Sequence, residues 1–239
     1  MTDREEIKPT AHELMELHLD ALFTHDHNMR LIAINEPWSG AATAPRFFLG
    51  RTIEGTTLCR FRYDVPEMLV EQLEELCADE PIARDIQTKP KNFKAYMNLL
   101  QGERFTMGPC YIIPGEATPK MQVVSITREN IAEFLLDGFE WLTLEIEYVQ
   151  PCIALVHESR VVSICRSVRI TSKAHEAGLE TLNAFRGRGY AAAVVAVWAM
   201  DVRKLGSIPL YSTSWENLAS QKVARKLALS LYGVNFIVI

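Results

Sequence analysis

Apolar positions along the chain recur with two periods, near 3.6 and near 2, and the changes between them mark out the elements. Thr10-Ala-His-Glu13 is a capping-box pattern, and behind it Leu14, Leu17, His18 and Ala21 fall on one face of an amphipathic helix. Ala21 to Asn35 holds two apolar runs around the polar turn His25-Asp-His-Asn28, as a hairpin would, and Phe47 to Arg62 repeats the design around Glu54-Gly55. Asp64-Val-Pro-Glu67 offers an N-cap, an early proline and an early carboxylate for a helix carrying Leu69, Leu73 and Leu76 that stops before Pro81. Another helix is expected from Phe93 to Leu100.

From Gly102 to Lys120 the chain breakers crowd together: Gly102, Gly108-Pro109, Pro114-Gly115 and Pro119. This stretch reads as a connection, with a domain boundary near Thr118 that separates residues 1–118 from 119–239. Beyond it, Gln122 to Ile126 reads as a strand, and Thr127-Arg-Glu-Asn130 opens a helix containing Ile131, Phe134 and Leu135. A short helical region lies within Gly138 to Tyr148. A hairpin follows, Cys152 to His157 against Val161 to Ile170, and His175 to Leu182 forms the next strand.

That strand runs into Asn183-Ala-Phe-Arg-Gly-Arg-Gly-Tyr-Ala-Ala, where the period changes. Ala191, Val194, Val195, Trp198 and Val202 then hold helical spacing, and Gly206 follows Arg203 and Lys204 as a C-cap. A helix N-terminus is thereby presented directly after a strand. Its unpaired N–H groups and positive dipole end can hold phosphate oxygens, and Gly187 and Gly189 let backbone approach without a Cβ in the way. Arg186 and Arg188 add charge beside it. Ile208 to Thr213 is a short strand, Ser214-Trp-Glu-Asn217 starts a helix with the stripe Ala219, Val223, Ala224, Leu227 and Leu231, and Tyr232 to Ile239 closes the chain as a strand.

Composition narrows the function classes. The net charge of −5 gives no overall basic footprint and argues against nucleic acid as partner. Five widely spaced cysteines without a Cys-x-x-Cys pair indicate neither a disulfide framework nor a zinc site. His25-x-His27 is not read as a metal pair, since no third ligand is fixed by spacing and polar residues belong in that turn. The N-terminus is charged and no stretch approaches the length that spans a bilayer, so a cytoplasmic protein without membrane contact is expected.

The turn lacks both the Gly-x-x-x-x-Gly-Lys-Ser/Thr loop and the Gly-x-Gly-x-x-Gly fingerprint, so nucleotide motifs fit poorly. Arg186-Gly187-Arg188-Gly189-Tyr190-Ala191 instead resembles the acyl-CoA signature of the GCN5-related N-acetyltransferase (GNAT) superfamily, Gln/Arg-x-x-Gly-x-Gly/Ala. The element order after residue 119 resembles that family as well. The resemblance implies a mixed α/β (α+β) fold, a GNAT-type mixed β-sheet flanked by helices, here preceded by a smaller α+β N-terminal domain. The helix, hairpins and further helices of residues 1–118 admit a diverged GNAT-like half with an accessory role, although no repeat is evident by residue identity.

The function implied is N-acyl transfer from acetyl-CoA to a primary amine on a small molecule or peptide, without a metal; a homodimer is compatible with it. The alternative is a catalytically silent acyl-CoA-binding or regulatory module. On the resemblance, backbone of Leu179, Glu180 and Thr181 pairs with the pantetheine arm, and the pyrophosphate sits on Gly187, Arg188, Gly189, Tyr190 and Ala191 with Arg186 nearby. An amine must lose its proton before it attacks, and Glu180 and Glu176 share the parity of the strand beside the thioester. Glu180 is the expected base, with an ion pair to Arg166 or Arg169 as its structural alternative; His175 is the weaker candidate.

The last helix is similar to the family pattern Asn-x-x-Ala-x-x-Leu-Tyr-x-Lys-x-Gly-Phe at Asn217 and Lys226, while Ser220 replaces its alanine and Val223 and Leu229 keep apolar positions. Ala224 stands where many relatives carry the tyrosine that protonates the departing thiolate, and Ala228 replaces the glycine. Ser220, Ser212 or Tyr232 is then left to donate the proton, or the thiolate leaves with help from solvent. Asn217 is expected either to contact the cofactor or to cap the helix.

Overall fold

The computed structural model describes residues 8–38, 40–81, 87–115 and 121–239. In chain order the elements are α1 (Ala11–Leu22), β1 (Phe23–His25), β2 (Leu31–Ile34), β3 (Phe47–Thr52), β4 (Thr57–Phe61), α2 (Glu67–Ala78), α3 (Phe93–Leu99), β5 (Phe105–Ile112) and β6 (Val124–Ser125). There follow α4 (Leu142–Glu145), β7 (Cys152–His157), β8 (Arg160–Ile170), β9 (Ala174–Thr181), α5 (Tyr190–Lys204), β10 (Ile208–Ser212), α6 (Leu218–Lys226) and β11 (Ser230–Val238). β1 and β2 pair as a hairpin, and the other strands form one sheet in the order β4-β3-β11-β5-β10-β9-β8-β7-β6. All its neighbours are antiparallel except β9 and β10.

The boundary expected near Thr118 lies outside the described residues, and the sheet takes strands from both sides of it. The stretch read as a connection contains β5, which lies between β10 and β11. Gly108 belongs there for lack of a side chain: a Cβ would come 1.7 Å from the carbonyl oxygen of Thr213.

Side-chain alternation sends the two faces of the sheet to different covers. One face carries Phe47, Leu49, Met107, Val234 and Phe236 toward α2 and α3, and Val162, Cys165 and Tyr211 toward Val194, Val195 and the fully buried Trp198 of α5. The other face receives α1 and the segment 126–149. Here α1 comes close because Gly50 and Gly233 leave room for Met15, whose side-chain atoms lie 2.5–2.6 Å from where their Cβ atoms would stand. The capping box predicted for α1 is formed, with Thr10 Oγ1 accepting from the Glu13 N–H and the Glu13 carboxylate accepting from the Thr10 N–H. Leu14, Met15, His18, Leu19 and Ala21 are buried along α1.

Two helix starts differ from expectation. Asp64 does not cap α2: its carboxylate takes both Nε and Nη2 of Arg62, at 2.7 and 2.9 Å, and Pro66 holds the cap position without a side-chain bond. The helix expected after Thr127 is a single 3-10 turn, Ile131–Glu133. Asn130 explains it, because its Oδ1 accepts from the Thr127 N–H while its Nδ2 donates to the Ser125 carbonyl, local bonds that compete with a helical ladder. The chain is extended again by Leu135, which bonds alongside Ser159 and Val161.

Candidate active site

β9 and β10 are hydrogen-bonded in parallel only from Ala174↔Ile208 to Glu176↔Leu210. Beyond that register β9 continues to Thr181 and β10 to Ser212, with no strand between them among the described residues. The backbone edge of Ala177 to Thr181 therefore faces an opening rather than a neighbour. A cavity of about 790 Å³ occupies the opening, bounded by β9, β10, the N-terminus of α5 and one side of α6.

Of the residues singled out in the sequence, Leu179, Glu180, Thr181, Arg186, Gly187, Gly189, Tyr190, Ala191, Asn217 and Ser220 line this cavity, whereas Arg188 and Glu176 do not. The turn takes its shape from Gly187 and Gly189, both left-handed at φ +79° and +89°. Gly189 is the N-cap of α5 and offers no side chain, so the first N–H groups of the helix are left for a ligand. Arg186 donates from Nε to the Thr181 carbonyl at 3.2 Å, and Arg188 turns away, its guanidinium 5.2 Å from the Phe185 ring. Lys226 supplies the charge next to the turn: its Nζ lies 2.5 Å from the place a Gly189 Cβ would take, and Lys222 lines the same wall. A chain that is acidic overall thus has a local cationic end to this cavity. Asn217 caps α6, its Oδ1 accepting from the Ser220 N–H at 3.0 Å.

The two β9 carboxylates have different settings. Glu180 is half exposed at the rim and takes Nη1 of Arg166 at 2.7 Å, while Arg166 lies over the Trp141 ring at 4.2 Å. Glu176 is buried beneath the point where β9 and β10 part. Its Oε2 accepts from Ser212 Oγ at 3.2 Å, and Ser212 is on the cavity wall. Its Oε1 bonds Nδ1 of His18, which α1 delivers from the other side. His18 Nε2 lies 3.1 Å from Asn235 Nδ2 and 3.6 Å from Cys110 Sγ. Burial opposes a charge on this ring, but Cys110 and Glu176 outweigh it and hold the His18 pKa up, to about 10.

His175 points to the opposite face, where Nδ1 is 2.9 Å from Ser167 Oγ, which also accepts from the indole of Trp198; burial lowers its pKa. It is a core group and does not line the cavity. Ala224 is buried against the α5 face. Close to it, the hydroxyl of Tyr211 on β10 reaches Ser220 Oγ at 2.5 Å, and both residues line the cavity. Burial pushes the Tyr211 pKa up to about 12. Tyr232 lies in the core beneath α1, its hydroxyl without a partner among the described residues, and is not on the cavity wall. Tyr211, His18 and Cys110 belong to no motif that would mark them in the sequence. The available signal was a histidine at an apolar position of α1, between Leu14 and Ala21.

The family model described as GNAT acetyltransferase matches residues 152–232, a third of the chain that contains the glycine turn. Among solved structures, a GCN5-related N-acetyltransferase from Kribbella flavida is 16% identical over 97% of this chain and 96% of its own, with a TM-score of 0.49. A GCN5-related N-acetyltransferase-like protein from Streptococcus suis 89/1591 is 18% identical over 82% and 85%, with a TM-score of 0.46. For a GNAT-family protein from Novosphingobium aromaticivorans DSM 12444 the figures are 14%, 57% and 65%, with a TM-score of 0.46, so the chain spans less than two thirds of that protein. No curated protein matches the sequence.

Proposed function

We propose that this protein is an N-acyltransferase that moves an acetyl group from acetyl-CoA to a primary amine. The observation that carries the reading is the parted β9–β10 edge with the α5 N-terminus at its end. An extended pantetheine arm can add to the free edge of Leu179 to Thr181 as a strand would, while the pyrophosphate takes the N–H groups of the Gly187 to Ala191 turn, with Arg186, Lys222 and Lys226 opposite its charge. The thioester then lies where the two strands part. The amine nitrogen bonds to the carbonyl carbon, the C–S bond breaks, and the thiolate takes a proton.

The Tyr211–Ser220 pair answers the absence of a tyrosine at position 224. A phenol on β10 offers the same chemistry from a different element. That pair favours turnover over the silent CoA-binding module. The acceptor's proton goes to a β9 carboxylate, Glu180 at the rim or Glu176 beneath Ser212.

Residues 1–118 serve the acceptor side in this reading. α1 and the loop after β2 cover the sheet face opposite α5, with Glu36 paired to Arg169 at 2.9 Å and Trp38 packed on the core of segment 126–149. The test is release of free thiol from acetyl-CoA in the presence of a panel of primary amines. Calorimetric binding of acetyl-CoA without thiol release for any amine supports the silent module instead.

A further inference from the structure

Glu176 has no surface on the cavity, yet it is bonded to a residue that does, and the atoms behind it form a chain across the sheet. Ser212 Oγ donates to Glu176 Oε2, and Glu176 Oε1 meets His18 Nδ1. Each link joins a different element: β10, β9 and α1. The other groups facing the pair are Cys110 from β5, Asn235 and Tyr232 from β11, and Arg169 of β8, which is held by Glu36. A buried carboxylate bonded to a buried histidine is costly to build, and a well-packed apolar pair would hold the same elements together at least as well. Core packing alone gives no reason for it.

We propose that Ser212, Glu176 and His18 form a proton relay for the acceptor amine, with Ser212 as the catalytic group at the cavity wall and His18 as a positioning residue that fixes the Glu176 carboxylate from behind. The proposal rests on the acyl-transfer reading above. As the amine nitrogen attacks the thioester carbonyl carbon, its proton passes to Ser212 Oγ while the serine's own proton passes to Glu176 Oε2. The carbonyl reforms as the C–S bond breaks, and the relay returns its proton to solvent after the products leave. Nothing beyond the amine and the thioester is consumed. The helix α1, far from the phosphate turn in sequence, becomes part of the catalytic apparatus. Glu180, half in solvent and engaged by Arg166, has no comparable second partner among the described contacts.

The test compares full-length variants by thiol release with the best amine and by acetyl-CoA calorimetry. Ser212→Ala removes the link at the wall without stranding a charge. The double variant His18→Leu with Glu176→Leu replaces the pair by apolar groups and avoids the buried carboxylate without a donor that His18→Leu alone would leave. Both should lower kcat by about 100-fold or more, with acetyl-CoA affinity within about threefold of wild type, a change of under 1 kcal/mol. In the double variant the acid limb of the pH–rate profile should move to the ionisation of the amine itself. His18→Asn keeps a donor near the place of Nδ1 and should recover most of the rate, as a purely space-filling histidine would not require. Wild-type turnover in Ser212→Ala and the double variant overturns the relay and leaves the acyl-transfer reading standing. Loss of acetyl-CoA binding in step with turnover overturns it too, because the cluster is then structural. A wild-type protein that binds acetyl-CoA but acylates no amine defeats the acyl-transfer reading and the relay with it.

Discussion

The phenol oxygen of Tyr211 stands 2.5 Å from Ser220 Oγ, tying β10 to the first turn of α6 across the floor of the cavity. Tyr211→Phe keeps the ring and removes only the proton donor. Turnover at saturating substrates should fall by about 10- to 100-fold with acetyl-CoA affinity nearly unchanged, and Ser220→Ala should cost less. Because burial raises the Tyr211 pKa to about 12, its protonated form persists through neutral and mildly alkaline pH. The wild-type rate should therefore show no loss from this group until the pH approaches that value. A Tyr211→Phe variant with full turnover would assign proton donation to solvent.

Gly189→Asp tests the phosphate turn. The residue sits at φ +89°, where a side chain costs about 1–2 kcal/mol, and the new carboxylate would meet Lys226 in the space meant for phosphate. Calorimetry should show acetyl-CoA binding weakened at least about tenfold, while circular dichroism stays that of a folded protein. A folded variant that binds as tightly as wild type would move the cofactor elsewhere.

Much of this arrangement was legible from local pattern, and the failures share a cause. The capping box at Thr10, the hairpin of β3 and β4, and the glycine turn before α5 are each encoded within a few neighbouring residues. His18 was visible on the apolar face of α1, but its partner Glu176 lies 158 residues away, and no period or spacing reports such a pairing. β5 was read as a connection because Gly108 and Pro109 are poor strand formers. Two flanking strands override that preference, and the close approach of the Thr213 carbonyl demands the glycine. Tyr211 escaped because the family pattern looks for its hydroxyl on α6, where Ala224 stands.

Glu180→Gln separates the two β9 carboxylates. With proton transfer routed through Ser212, the variant should keep kcat within about fivefold of wild type and raise KM for the amine, since it loosens Arg166 and Trp141 at the rim. A fall in kcat of about 100-fold with unchanged acetyl-CoA affinity would instead make Glu180 the base.

Ala228 adopts φ +48° just after α6, at the glycine position of the pattern that the helix resembles. An L-residue pays about 1 kcal/mol or more in this region, so Ala228→Gly should raise stability by a few tenths to about 1 kcal/mol once the freer unfolded chain is counted. Urea unfolding measures it, and a lower midpoint would mean that the alanine methyl contributes packing that outweighs the strain.

A fragment beginning at Gln122 lacks β5, leaving β10 and β11 without the strand that joins them. It should remain largely unfolded or aggregate, as read by circular dichroism and size-exclusion chromatography. A folded monomeric fragment that binds acetyl-CoA would show that the C-terminal half closes its sheet in another way.

The place of β5 also sets a timetable for synthesis. Ile112 precedes Ser230 by 118 residues, so at about 5–20 residues per second the strand waits on the order of ten seconds for its second neighbour. Until β10 is made, for most of that interval, both of its edges are open to stray pairing with other nascent chains. Pro109, at mid-strand, has no N–H to offer an intruder, and Gly108 beside it lowers the intrinsic preference for an extended ladder. The dipeptide that disguises the strand in the sequence is suited to keeping it single until β10 and β11 emerge.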